Sequence, residues 1–201
     1  MKSLYSKRFP TVMKYITSIF LFVAVFLLLS SPLHAKQKKD PDLKDIIITT
    51  SDSHLLLFAT VQNCFTKEMV QGVRNGLPVT FNFHIELDKV RSAWFDSTLI
   101  ETIITHTLTY DSIKEQYAVI FSEKKGQLVA TRSLEQAKQL MAEVNGFPLI
   151  ERKLLVPDAP YALKIKATLA ETTLPLGMHY ILPFTSLWDF ETDWRTVEFH
   201  Y

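Results

Sequence analysis

From Val79 to Leu87 the chain alternates without a break, with Val79, Phe81, Phe83, Ile85 and Leu87 set against Thr80, Asn82, His84 and Glu86. Successive side chains on a strand point to opposite faces, so this segment predicts a strand with one buried and one wet face. Tyr161, Leu163, Ile165, Ala167 and Leu169 repeat the pattern around Lys164, Lys166 and Thr168, and Gln116–Ser122 reads the same way. His54–Gln62 is apolar on both faces, with Leu55 and Leu57 on one and Leu56 and Phe58 on the other, which predicts a central strand. Thr98–Tyr110 carries Ile and Leu at spacings that suit a helix, but five threonines between 98 and 109 favour a strand. The phase break at Asp88-Lys89-Val90 predicts a bulge or a strand end.

Two segments switch to helical spacing. Thr66 is a candidate N-cap, Phe65 before it can staple onto Val70, and Gly76 stops the helix. In the second, Ser133 and Gln136 have capping-box spacing. An apolar stripe follows through Leu134, Ala137, Leu140, Met141 and Val144, and Asn145-Gly146 is the expected stop. The predicted order is two strands, a helix, four strands, a helix and at least two strands. Short turns such as Glu123-Lys124-Lys125-Gly126 force antiparallel pairing. The fold class is therefore α+β: a predominantly antiparallel sheet of about seven to nine strands with two amphipathic helices packed on it, preceded by an N-terminal hydrophobic helix.

That first helix belongs to a targeting segment. Residues 1–35 hold Lys2, Lys7, Arg8 and Lys14 and no acid, and residues 15–35 carry no charge. A basic start, an apolar middle and Pro32 before the small Ala35 are the parts of a secretory signal cleaved after Ala35. The uncharged stretch would also span about 30 Å as a helix, so an uncleaved anchor through residues 15–33 is the alternative. Either way the body is expected to be exported, to the periplasm or tethered to the inner membrane facing it. The division read from the chain is a signal or anchor over 1–35, a basic and polar linker over 36–45, and one domain over 46–201. The chain after residue 35 carries 18 basic and 21 acidic side chains. This charge and the export signal argue against a nucleic-acid partner.

The segment Asn75-Gly76-Leu77-Pro78 leading into Phe81, Ile85 and Leu87, then Trp94-Phe95-Asp96, Tyr110-Asp111 and Tyr117, resembles a family of exported bacterial proteins described as domain of unknown function DUF4390. The likeness continues through Ser133-Leu134-Glu135, Tyr161 and Leu174-Pro175-Leu176 before Trp188, over roughly residues 46–190. Ala93 stands where a second aromatic is expected. The resemblance implies an envelope location and carries no catalytic residue across.

The chemistry on offer is sparse. His84 and Glu86 share one face of one strand with Asn82 and Asp88, but no third ligand stands at diagnostic spacing, so the row reads as solvent-facing rather than metal-binding. His54, His106, His179 and His200 are scattered. No Gly-x-Ser-x-Gly elbow is present, and Cys64, between Asn63 and Phe65 at the end of an apolar strand, reads as core. No cofactor is expected. Val197, Phe199 and Tyr201 alternate to the last residue as the final strand of an outer-membrane barrel does, although two capped helices stand against a barrel. Trp94, Phe95, Trp188 and Trp194, near strand ends and in a loop-rich tail, are the candidate binding residues. The expected role is a non-enzymatic binding or accessory one in the envelope, toward an envelope protein or an apolar ligand. The alternatives are a small envelope hydrolase, which needs a histidine beside two carboxylates in a cleft, and an outer-membrane barrel.

Overall fold

Period-two segments pair into sheets because each leaves half of its side chains needing cover and all of its backbone needing partners. A computed structural model describes residues 40–91, 96–170 and 190–201. Along them run β1 (Asp42–Thr50), β2 (His54–Gln62), α1 (Lys67–Arg74), β3 (Val79–Lys89), β4 (Ser97–Asp111) and β5 (Gln116–Phe121). There follow β6 (Gln127–Thr131), α2 (Leu134–Ala142), β7 (Glu143–Glu151), β8 (Pro160–Leu169) and β9 (Arg195–His200). The order matches the one read from the sequence, and the threonine-rich segment is the 15-residue strand β4. The hydrophobic helix expected at the N-terminus lies outside the described residues. Among the described helices, none is long and apolar enough to cross a membrane.

The strands divide into two antiparallel sheets, one of order β1-β2-β7 and one of order β6-β5-β4-β3-β8-β9. β2 is central in the smaller sheet, as its two apolar faces predicted. β3, the most regular alternator, sits between β4 and β8. Both sheets end in strands unpaired on one side among the described residues, which is not the closed ring of a barrel. β1 begins at Asp42, inside the segment read as linker, because Asp42 to Lys44 pair with Thr60 to Gln62.

One core joins the sheets and helices. Phe81, Phe83, Ile85 and Leu87 of β3 are fully buried with Leu57 of β2, Met69 and Val73 of α1, and Ala137 and Met141 of α2. Full burial of a side chain the size of Leu or Phe stabilises by about 2 kcal/mol. Phe65 packs on Phe81 at 5.1 Å between ring centroids, and Phe190 meets Phe81 edge-on at 4.8 Å. Phe65, read from the sequence as a staple onto Val70, lines one hollow with Val70 and also bears on the sheet.

Helix ends follow local hydrogen-bonding rules. Thr66 Oγ1 accepts from the Met69 amide at 3.1 Å. At the other end the Gly76 and Leu77 amides donate to the Val73 and Gly72 carbonyls, with Gly76 at φ +87°, the left-handed turn that glycine permits. Ser133 Oγ accepts from the Gln136 amide at 3.3 Å, but the reciprocal half of the box runs through Thr131. Thr131 Oγ1 accepts from the Ser133 amide and donates to Gln136 Oε1 at 2.6 Å. α2 stops at Ala142, earlier than the Asn145-Gly146 signal suggested. Glu143, Val144 and Asn145 pair with Thr60, Ala59 and Phe58, so cross-strand bonds to β2 replace another helical turn. Gly146, at φ +69°, falls at the register shift between Leu57 and Phe58 as a bulge residue.

Candidate functional site

Three of the four aromatic candidates, Trp94, Phe95 and Trp188, lie outside the described residues. Trp194 is described, immediately before β9, and is 43% exposed. Its indole lies edge-on to the His84 imidazole with centroids 6.5 Å apart, and Lys166 Nζ stands 5.3 Å from its ring centre. Lys166 also donates to Glu191 Oε1 at 2.5 Å, and His84 Nε2 shares a hydrogen bond with Thr168 Oγ1 at 3.0 Å. Burial first, and then the Lys166 ammonium, pushes the His84 imidazole below its ordinary value toward the neutral form. The Lys166 ammonium holds Glu191 below the usual carboxylate range.

Farther along the same row the geometry departs from the sequence reading. Asp88 is buried rather than solvent-facing, although it stays on the Glu86 face: β3 keeps unbroken register with β8, and Lys164 reaches both carboxylates. Lys164 Nζ donates to Asp88 Oδ2 at 2.8 Å and lies 3.8 Å from Glu86. Burial opposes the Asp88 charge, yet the Lys164 hydrogen bond keeps its carboxyl below the ordinary value. No group of three or more His, Cys, Asp or Glu side chains among the described residues is arranged to hold a metal ion.

A second buried polar centre lies under α2. His106 is fully buried between Phe83 and Phe121, at 4.9 and 4.7 Å. Its Nδ1–H donates to the Met141 carbonyl at 3.1 Å, and Nε2 stands 3.2 Å from Glu123 Oε1. With Nδ1 committed as a donor to a carbonyl, the Nε2 contact needs one further proton on the pair. Burial opposes the Glu123 charge, yet the hydrogen bond with His106 holds its carboxyl below the ordinary value.

The cavity that sequence reasoning missed lies between the helices. It measures about 550 Å³ and is lined by Phe65 and Val70 together with Lys67, Gln71, Arg74 and Lys138. A neighbouring hollow of about 460 Å³ shares Phe65 and Lys138 and runs on past Cys64 and Ala142 to Glu135 and Gln139. Lys67 and Arg74 are seven residues apart, two turns along one side of α1, while Lys138 reaches the groove from α2. Arg74 Nε donates to Tyr117 Oη at 3.1 Å and Lys138 Nζ to Glu135 at 2.8 Å. The groove thus presents cations over an apolar floor, a combination suited to holding an anionic group beside apolar surface. The signal was present as the spacing of Lys67 and Arg74, but Lys138, 64 residues beyond Arg74, joins them only through the packing.

Two open antiparallel sheets and two capped helices on one core, with a cationic groove between the helices, define an α+β domain. The chain belongs to the family described as Domain of unknown function (DUF4390), whose family model matches residues 38–198. This is the family that the Asn75–Pro78 segment and its companions resembled. No curated protein and no solved structure matches the chain.

Proposed function

We propose that this is an exported cell-envelope protein with a non-catalytic binding or accessory role, and that the groove between α1 and α2 is where it holds its partner. The observation that carries the reading is the placing of Lys67, Arg74 and Lys138 around Phe65 and Val70. These groups bind anions and cover apolar surface, and Thr66, the hydroxyl beside them, is occupied as a helix cap. Support for export comes from the basic, then uncharged leader of residues 1–35.

Photo-crosslinkers placed at positions 70 and 71 test the site, with position 113, an exposed turn residue, as reference. Adducts in living cells from 70 and 71 and none from 113 are expected. Equal labelling from all three positions, or none from the groove, overturns the site. Fractionation with N-terminal sequencing tests the location. The expected product begins at Lys36 in the periplasm, or is a full-length membrane protein whose body a protease reaches from the periplasmic side. A cytosolic chain with Met1 intact overturns export.

A further inference from the structure

Resting on the reading of the groove above, we infer that its occupant is an acidic peptide segment of a protein partner, with apolar side chains flanking its carboxylates. The groove is open along its length, and its two hollows meet at Phe65 and Lys138. A lipid seated there would leave its acyl chains in water, because neither hollow encloses them. A peptide laid across the helices sets carboxylates against Lys67 and Arg74 on one wall and Lys138 on the other, while its apolar side chains cover Phe65 and Val70.

Charge over the rest of the domain points the same way. Residues 40–201 carry 15 basic and 21 acidic side chains, a formal charge of −6. Three of those 15 cations gather on this one groove. An anionic membrane surface would meet the whole acidic body, whereas a short segment meets only the charges within a Debye length of about 8 Å. The Lys138–Glu135 pair is exposed on the Glu135 side, so an incoming carboxylate can take the place of Glu135 without leaving a buried charge unpaired.

The test uses the full 201-residue chain and four probes. They are a fluorescent 12-residue peptide with four glutamates and three leucines, the same peptide with lysines for glutamates, phosphatidylglycerol vesicles, and inorganic phosphate. The acidic peptide is expected to bind and the lysine peptide not to. Lys67→Glu with Lys138→Glu should weaken the acidic peptide by about tenfold or more and create binding of the lysine peptide. Lys114→Glu, on an exposed turn, serves as the control that should change neither. The swap in preference is a readout that a misfolded variant does not give, and unchanged circular dichroism accompanies it. Binding of vesicles or phosphate that depends on Lys67 and Lys138, without peptide binding, overturns the peptide assignment and leaves the groove as a site. Acidic-peptide binding indifferent to the double variant, or no binding of any probe, overturns this inference; the crosslinks from positions 70 and 71 then decide separately whether the groove reading falls with it.

Discussion

His106 and Glu123 meet with Nε2 and Oε1 3.2 Å apart, and the pair ties strand β4 to the turn between β5 and β6 beneath the end of α2. The Glu123 side chain is 5% exposed and its Oε2 has no hydrogen-bond partner among the described residues. An ion pair so placed holds its position strongly once formed, yet contributes little beyond what apolar side chains of the same volume would.

Removing one partner leaves a buried polar atom of the other without its hydrogen bond. Glu123→Ala should therefore cost roughly 1–3 kcal/mol, read as a fall in the urea midpoint at unchanged slope. The double substitution His106→Phe with Glu123→Leu should recover most of that loss, because it buries no charge. A double variant as unstable as Glu123→Ala would show that the pair itself stabilises the fold.

The same carboxylate sets an acid limit. Its pKa in the folded chain lies below the ordinary value of 4.5, so on acidification the unfolded chain takes up its proton first. The stability it contributes is complete above the ordinary value and is lost as pH falls through the lowered folded one. Melting temperature should fall between about pH 5 and 3 less steeply in Glu123→Gln than in the parent. Equal slopes would remove Glu123 from the acid response, leaving it to Asp42, Asp88, Asp111, Glu151 and Glu191, whose carboxyls are also held low.

Two lysines two residues apart on β8 should differ sharply. Lys164 neutralises Asp88, which is buried, whereas Lys166 pairs with the 60%-exposed Glu191. Lys164→Met should cost about 2 kcal/mol and Lys166→Met less than about 1 kcal/mol. Denaturant titration of the two variants side by side checks the order.

Cys64 is the only thiol of the chain, buried at the end of β2, and burial pushes its pKa up to about 12. A thiol held protonated and covered reacts slowly. A maleimide should label the native protein no faster than the protein opens, and fully in strong urea. Rapid labelling of the native chain would show that reagent reaches the sulfur through the hollow that Cys64 lines.

Much of this fold was legible along the chain. The strand pattern at Val79–Leu87 and Tyr161–Leu169, the five threonines of β4, and the caps Thr66 and Ser133 are local signals, and local chemistry decides them. The stop of α2 was not legible, since Asn145-Gly146 closes helices in general, and here β2 offered better hydrogen-bond partners three residues earlier. The burial of Asp88 was hidden for a related reason: Lys164 comes over it from β8, 76 residues along the chain, and no local pattern marks that pairing. His106, read as one scattered histidine, became the most buried polar group of the core because its strand neighbours Phe83 and Phe121 are brought to it by pairing.

What the sequence alone determined is the part governed by near neighbours: strand and helix periods, caps, the uncharged leader, the acidic balance and the family. Only the tertiary structure decided that the strands separate into sheets of three and six, that Trp194 stands against His84, and that Lys138 faces Lys67 and Arg74 across a groove. Those pairings join residues dozens of positions apart. They depend on which faces the core buries together, a property of the assembled surfaces and not of any window along the chain.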